Sequence, residues 1–131
     1  MVKFAYTIFY VQDVVKTIEF YERAFGFRRT FIADTAEFGQ LDTGSTALSF
    51  SSIDLITGEI TDGFIKSDIS KKPLGMEVAF STENVEQAYQ AALDAGATKV
   101  AAPSVKPWGQ TVGYLRDING FLIELCTPIT D

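Results

Sequence analysis

An internal repeat constrains the fold of this chain more than any other sequence feature. The two copies begin at positions 6 and 77, with sequences YTIFYVQD and EVAFSTEN. Each has the pattern of a strand that leads into a helix. Asp13 and Asn84 stand at the position where a short oxygen-bearing side chain accepts hydrogen bonds from the first free N–H groups of a helix. Because strand side chains alternate faces, Tyr6 and Tyr10 share one face of the first copy, and Glu77 begins the equivalent face of the second.

The first copy predicts one strand, one helix and three further strands. Residues 3–11 are apolar on both faces of the strand, which favours a position between a helix and a cavity or second sheet over a sheet edge. Helical spacing then produces an apolar stripe that ends at Gly26, a residue free to adopt positive φ; the stripe comprises Val14, Ile18, Tyr21 and Phe25. The strands that follow are predicted over 27–33, 37–42 and 47–51.

The second copy repeats this order. Its first strand is followed by a helix that begins after Asn84, with Gln87 as a capping-box partner, and stops at Gly96. Three strands follow, over 98–105, 110–116 and 121–127. We therefore predict an α+β fold of two βαβββ modules in one domain, with module one at 1–52 and module two at 74–131. The segment 53–73 connects them, either as a partly mobile crossover or as a lid over a site.

Charge and hydropathy exclude several classes of partner. The net charge is −6, and no cluster of Lys and Arg is longer than a pair, so nucleic acid and anionic membranes would be repelled. No apolar run approaches the roughly 20 residues that span a bilayer, and the N-terminus lacks a signal-peptide pattern. We expect a cytoplasmic protein that binds neither nucleic acid nor membrane.

The chain contains no histidine. Histidine is the usual general base near neutral pH and a common metal ligand, so Ser-His-Asp and Cys-His catalysis and imidazole zinc sites are excluded. The single cysteine, Cys126, cannot form an intrachain disulfide and is predicted to be a buried structural residue. Chemistry at any site must therefore use carboxylates, Tyr, Lys, Arg, Ser or Cys126.

Three segments together carry a family resemblance: YTIFYVQDVVKTIEFYERAFGF, EVAFSTENVEQAYQAALDAGA and WGQTVGYLRDINGFLIELCTP. In this order and spacing the chain resembles the vicinal oxygen chelate superfamily, which includes glyoxalase I, bleomycin-resistance proteins and extradiol dioxygenases. The resemblance covers nearly the whole chain. It implies that the two βαβββ modules form curved mixed sheets around a ligand cavity, and it implies a homodimer, since many relatives are homodimers.

The metal-binding members of this family place four ligands on the cavity face. In this sequence the equivalent positions are Tyr6, Ser49, Glu77 and Glu124, of which only Glu124 keeps the customary residue type. A phenol and a serine hydroxyl are weak ligands at neutral pH. We therefore expect no classical metal centre and no other cofactor. The alternative is a hard divalent cation held by the two carboxylates and water.

Glu77 and Glu124 have a functional and a structural interpretation. As a pair they could act as general acid and base, with one pKa raised by the other's charge, or bind the amine of a ligand. In the structural interpretation each carboxylate is satisfied by Arg116, Lys106, Tyr6 or backbone donors.

Further candidates surround these positions. Trp108 is predicted to form either an aromatic wall with Gln110 as a polar handle, or a half-buried turn. Tyr114 and Arg116 share one strand face; if it is inward, Arg116 could neutralise a ligand carboxylate or Glu124, and if outward, it is a surface charge. The predicted ligand-binding set is Tyr6, Tyr10, Ser49, Phe50, Trp108, Gln110, Tyr114 and Arg116. Tyr10, Phe50, Leu122 and Cys126 are predicted cavity or core residues.

The sequence leads to two main functional hypotheses. The first is a small-molecule-binding protein that resembles the metal-free resistance proteins of the family. The second is a lyase or isomerase related to glyoxalases, with Glu77, Glu124 and Tyr6 as acid–base groups or hard-metal ligands. A third, weaker hypothesis is a paralogue that has lost its pocket and serves assembly with a partner.

Overall fold

The computed structural model describes residues 1–129 of the chain. These form two compact units: the first comprises Met1–Glu22 and Gly26–Lys66, and the second comprises Arg23–Phe25 and the residues from Ser67 onward. The last two residues of predicted module two, 130 and 131, lie outside the described residues.

The first unit contains one four-stranded sheet and two helices. Along the chain these are β1 (Tyr6–Val11), α1 (Val14–Phe25), β2 (Arg28–Ile32), β3 (Phe38–Asp42), β4 (Ala47–Ser52) and α2 (Ile53–Thr57). The strand order in the sheet is β1-β4-β3-β2. β1 pairs with β4 in parallel, whereas the β3–β4 and β2–β3 pairs are antiparallel.

Helix α1 begins and ends where the sequence predicts. The Asp13 side chain accepts a hydrogen bond from the Lys16 N–H at 3.0 Å, and Gly26 ends the helix with φ of 73°. Between these caps, Val14, Ile18 and Tyr21 are fully buried. They make the apolar face that packs on the sheet, and burial of this face stabilises the helix more than its intrinsic propensity does.

Two predictions for this unit are wrong. β1 begins at Tyr6 rather than at residue 3, and among the strands of residues 1–129 it lies at an edge of its sheet, with β4 as its neighbour. Apolar character on both faces indicated burial, but it did not distinguish an edge strand with covered faces from a central strand. The connection 53–73, for which no element was predicted, begins with the short helix α2, where the Ser52 side chain accepts from the Leu55 N–H at 3.1 Å.

The second unit repeats the strand and helix order. Its elements are β5 (Glu77–Ser81), α3 (Val85–Asp94), β6 (Thr98–Val105), β7 (Thr111–Arg116) and β8 (Leu122–Cys126). The strand order is β5-β8-β7-β6, with β5 parallel to β8 and the other pairs antiparallel. Asn84 caps α3 by accepting from the Gln87 N–H at 3.1 Å, and Ala95 rather than Gly96 is the C-cap.

These elements confirm the predicted fold class: an α+β protein with two βαβββ modules, each with a four-stranded mixed sheet. Each sheet buries one face against its own module's first helix. In the first sheet this face includes Phe9, Leu48 and Phe50, and in the second it includes Leu115, Ile123 and Leu125. The other face of each sheet carries the predicted site residues that lie on strands, with the exception of Phe50. Within residues 1–129, no helix combines the length and hydropathy needed to cross a bilayer.

Candidate functional site

The second sheet places four of the predicted residues on one face: Glu77, Tyr114, Arg116 and Glu124. Glu124 of β8 lies opposite Ala79 of β5 and opposite Tyr114 of β7. Residues directly opposite in a sheet share a face, and residues two apart along a strand share it too. Glu77 therefore lies diagonal to Glu124 on the face that carries Tyr114. We call these three residues the acidic triad.

A direct hydrogen bond joins two members of the acidic triad. The Tyr114 hydroxyl donates to Oε1 of Glu124 at 3.1 Å, across the register pair of β7 and β8. This hydrogen bond to the carboxylate, together with burial, raises the pKa of the Tyr114 phenol. The phenol is therefore protonated at neutral pH and serves as a hydrogen-bond donor rather than as a base.

Glu77 lies in a less favourable environment for a charge. Although the Glu77 side chain is largely exposed, partial desolvation by its neighbours raises the pKa of its carboxyl group, and the negative charge of Glu124 raises it further. Within residues 1–129 neither carboxylate forms an ion pair with a lysine or arginine. Within the described part of the second unit, neither Arg116 nor Lys106 pairs with either carboxylate, and Glu124 accepts a hydrogen bond from Tyr114 instead.

Arg116 is inward, as one of its two predicted orientations requires. The side chain is buried, and its guanidinium donates to the backbone carbonyls of Gly120, Asp68, Ile69 and Lys71. These four acceptors belong to the β7–β8 turn and to the segment that precedes β5. Arg116 therefore does not neutralise Glu124. Its predicted contact with a ligand carboxylate stays a prediction.

Trp108 and Gln110 form a hydrogen-bonded chain next to β7. The indole N–H of Trp108 donates to Oε1 of Gln110 at 2.8 Å, and the Gln110 amide donates to the Thr127 carbonyl at 2.8 Å. The Trp108 side chain is 70% exposed, so it is not the half-buried turn residue of the structural alternative. An exposed indole held in one orientation can provide a flat apolar surface.

The first sheet carries the remaining predicted positions. Ser49 of β4 lies opposite Ile8 of β1 and opposite Gln40 of β3, and its hydroxyl donates to Oε1 of Gln40 at 3.2 Å. Tyr6 and Tyr10 share this face, and Tyr6 is 52% exposed. The ring of Tyr10 packs edge to face on Phe64, with centroids 4.9 Å apart.

Phe50 and Cys126 occupy core positions. Phe50 points to the helix side of the first sheet, opposite to Ser49, and its ring centroid lies 5.2 Å from that of Tyr21. The structure therefore places this predicted ligand-binding residue under α1. Cys126 is buried, as predicted, and burial raises the pKa of its thiol. A protonated buried thiol is a poor nucleophile.

Gln40 is a site residue that the sequence reasoning missed. It occupies the position in β3 that Tyr114 occupies in β7. Its Oε1 accepts a hydrogen bond from the Ser49 hydroxyl, whereas Tyr114 donates one to Glu124. The signal was present in the repeat, where FGQL at 38–41 corresponds to VGYL at 112–115. Each unit thus carries one hydrogen-bonded polar pair at the same register position.

The donor set does not fit the metal centre that the resemblance implies. Of the four equivalent positions, Tyr6 is a phenol and Ser49 already donates to Gln40. Within residues 1–129, no three Asp, Glu, Cys or His side chains are arranged so that they could hold a metal ion. Two carboxylates and water alone make a weak site for a hard cation.

The chain was compared with family models and with curated proteins. The family model described as Glyoxalase/Bleomycin resistance protein/Dioxygenase superfamily matches residues 3–125. No curated protein matches.

Similar solved structures share the architecture. A glyoxalase/bleomycin resistance protein/dioxygenase family enzyme from Burkholderia phytofirmans PsJN has a TM-score of 0.85 at 20% identity, covering 98% of this chain and 100% of that one. A glyoxalase-related enzyme from Fulvimarina pelagi gives 0.82 at 18% identity, covering 98% and 89%. The hypothetical protein SA1046 from S. aureus gives 0.81 at 18% identity, covering 98% and 95%. At these identities the likeness establishes the fold.

Proposed function

Because this chain belongs to the Glyoxalase/Bleomycin resistance protein/Dioxygenase superfamily, we propose that it is a small-molecule-binding protein without a classical metal centre. The ligand binds on the face of the second sheet that carries the acidic triad. The supporting observation is a pair of carboxylates, Glu77 and Glu124, on one face with no cationic side chain paired to either within residues 1–129.

The chemistry of the acidic triad favours a ligand with a positively charged nitrogen. Two like charges close together repel, and partial desolvation of Glu77 adds to the cost of its ionisation. A ligand ammonium group would relieve both effects and gain charge-assisted hydrogen bonds. Trp108, exposed and held by Gln110, adds a flat apolar surface for the rest of such a ligand.

The proposal includes the location of the protein, its class of partner and its oligomeric state. The acidic net charge and the lack of basic clusters support a cytoplasmic protein whose partner is a small molecule rather than nucleic acid or a membrane. A homodimer is proposed from the family resemblance alone.

The test is binding of organic amines by metal-free protein. Protein dialysed against a chelator is titrated calorimetrically at neutral pH with a panel of arylalkylamines, whose amino groups are protonated, and with their N-acetylated analogues, which keep the aromatic ring but lack the charge. The amines should bind more tightly than the analogues. The double variant Glu77→Gln/Glu124→Gln should bind them at least about tenfold more weakly, since loss of a charge-assisted hydrogen bond is worth about 1.5–3 kcal/mol.

A matched control distinguishes the effect of the two site carboxylates from the effect of the net charge of the protein. Asp54→Asn/Glu59→Gln removes two exposed acidic residues of the first unit and so changes the net charge equally. This control should bind like the wild type. Equal loss in both double variants, or no preference for amines over their acetylated analogues, would overturn the proposal.

One observation favours a second candidate, an acid–base enzyme of the lyase or isomerase type. The raised pKa of Glu77 brings a carboxyl group closer to the pH at which it can both accept and donate a proton. Elemental analysis of the purified protein and thermal-shift titration with magnesium, manganese and zinc test the metal-dependent version. Absence of both metal and stabilisation would remove it. The metal-free version predicts deuterium incorporation from D2O into a bound ligand, lost in Glu77→Gln.

A further inference from the structure

The buried guanidinium of Arg116 donates its hydrogen bonds within residues 1–129 to four backbone carbonyls. Nε donates to the Gly120 carbonyl at 2.8 Å, Nη2 to Asp68 at 3.0 Å, and Nη1 to Lys71 at 2.8 Å and Ile69 at 3.3 Å. One side chain of β7 thereby joins the β7–β8 turn to a segment more than forty residues earlier in the chain. We call residues 67–71 the strap.

Two further contacts hold the strap to the same turn. The Ser67 hydroxyl donates to the Asn119 carbonyl at 2.8 Å. Gly120 is packed so closely that an added Cβ would lie 2.7 Å from Nη2 of Arg116 and 3.0 Å from the Ile69 nitrogen. Its φ of +96° also favours glycine. The turn and the strap are therefore fitted to each other.

The strap is folded so that its carbonyls reach Arg116. The Asp68 carboxylate accepts from both the N–H and the hydroxyl of Ser70, at 2.9 and 2.7 Å, and the Lys71 N–H donates to the Asp68 carbonyl at 3.0 Å. These bonds make a compact turn. Without the Arg116 guanidinium, the carbonyls of the strap would lose a charged donor, which forms stronger hydrogen bonds than a neutral donor does.

Residues 72–76 connect the strap to β5, whose first residue is Glu77. Leu74 is half-buried, and its carbonyl accepts from the Met76 N–H at 2.8 Å, so the connection from the strap to β5 is itself folded. We propose that Arg116 is a positioning residue: it fastens the strap to the β7–β8 turn and thereby fixes the start of β5, where Glu77 lies. This inference does not depend on which ligand the protein binds.

The test is site-resolved hydrogen exchange of Arg116→Ala. Local opening exposes the amides of one segment without global unfolding. We expect exchange of the amides over 67–78 to accelerate at least about tenfold, because several hydrogen bonds to a charged group are lost together. The amides of β3 and β4 in the first unit should keep their wild-type rates. Trypsin should also cleave faster after Lys66 and Lys71, which bound the strap.

Chemical rescue separates positioning from general destabilisation. Guanidinium ion at low millimolar concentration should enter the space left in Arg116→Ala and slow the exchange of the strap, whereas equal concentrations of urea or sodium chloride should not. Arg28→Ala, which removes an exposed arginine of β2, should leave the strap unchanged. The proposal is overturned if exchange over 67–78 in Arg116→Ala equals that of the wild type, or if it rises equally in all segments without rescue.

A milder variant keeps the test decisive if Arg116→Ala does not fold. Ser67→Ala removes only the contact to the Asn119 carbonyl and retains the arginine. Exchange of the strap and of the first residues of β5 should then rise together, by a smaller factor. A strap that opens in this variant while Glu77 and Val78 stay protected would contradict the link between the strap and β5.

Discussion

At the scale of single residues, the hydrogen bond from Tyr114 to Glu124 is the most specific polar contact of the proposed site. Tyr114→Phe removes the hydroxyl and leaves the ring. Because the acceptor is a carboxylate on a half-buried sheet face, we expect a loss of about 1 kcal/mol in the free energy of unfolding. The midpoint of urea unfolding measures this loss.

Tyr10→Phe is the matched control for this prediction. Tyr10 packs its ring on Phe64, and no hydrogen bond of its hydroxyl is recorded within residues 1–129. The substitution should change stability by less than about 0.5 kcal/mol. If both variants behave alike, the Tyr114 hydroxyl contributes nothing specific and the contact does not hold the site.

The pKa of Glu77 reports the coupling within the acidic triad. We expect NMR titration of its carboxyl carbon to give a pKa above that of an ordinary glutamate, because of partial desolvation and of the Glu124 charge. Glu124→Gln removes the second cause, so the Glu77 pKa should fall while staying above the ordinary value. An ordinary pKa in the wild type, or no change in the variant, would show that the carboxylates do not interact.

The raised pKa of Glu77 determines whether Glu77→Gln stabilises or destabilises the folded protein. A carboxyl group whose folded pKa exceeds its unfolded pKa destabilises the folded state when it is ionised, and the cost disappears as the pH falls through the folded pKa. Glu77→Gln should therefore stabilise the protein at neutral pH, by about 0.5 kcal/mol or less since the side chain is exposed.

Thermal unfolding over a pH series measures this effect. The advantage of Glu77→Gln over the wild type should shrink toward acid pH, where both side chains are neutral. Glu83→Gln, an exposed residue in the turn before α3, should show no such pH-dependent advantage. An advantage that is constant with pH would contradict the electrostatic cause.

The sequence indicated which candidate residues share a sheet face better than it indicated their hydrogen-bond partners. Glu77 followed from its equivalence to Tyr6 in the repeat, and Glu124 from the family pattern. Their contacts did not follow, because pairing of Tyr114 with Glu124 depends on the register between β7 and β8, which a single sequence does not specify. Likewise, the alternation of side chains along a strand placed Tyr114 and Arg116 on one face of β7, but it did not indicate which face of the strand is inward.

At the scale of elements, close approach of helix and strand is the feature that the packing requires most strictly. A Cβ at Gly39 of β3 would lie 2.5 Å from Cδ1 of Ile18 and 3.2 Å from Cγ1 of Val14, both in α1. Gly39→Ala should therefore push α1 away from the sheet and cost about 1–3 kcal/mol. Chemical unfolding measures this cost.

Gly58→Ala is the control for that substitution. Gly58 has a right-handed helical φ of −69°, and its added Cβ would meet only the Leu55 carbonyl oxygen at 3.7 Å, an ordinary contact. The change should be neutral or stabilise by up to about 1 kcal/mol, because alanine restricts the unfolded chain. Equal destabilisation by the two alanines would mean that β3 and α1 are not in close contact.

Helices with strong end signals were predicted well, whereas short or edge elements were not. The caps at Asp13 and Gly26 bound α1 as predicted because their side-chain and φ requirements are local. The five-residue helix α2 has too few positions to show a period, and its Ser52 cap lies at the end of a strand. Position in the sheet is a tertiary property, so the edge location of β1 was not readable from its composition.

At the scale of the whole molecule, the internal repeat predicted the fold of both units because each copy carries its own complete strand and helix pattern. The matching register of the Gln40–Ser49 and Tyr114–Glu124 pairs shows the same repeat in three dimensions. The ligand was not predictable to the same degree. The fold is common to proteins of different activities, so specificity lies in the few side chains on the sheet faces.

The most direct test of the account is a map of ligand contacts over the whole chain. The measurement is the change in backbone amide chemical shifts when the tightest-binding amine of the panel is added to metal-free protein. The account predicts the largest changes on β5, β7 and β8, around Ala79, Tyr114 and Glu124, and their loss in Glu77→Gln/Glu124→Gln. Shift changes that centre elsewhere on the chain, or that persist unchanged in the double variant, would contradict it.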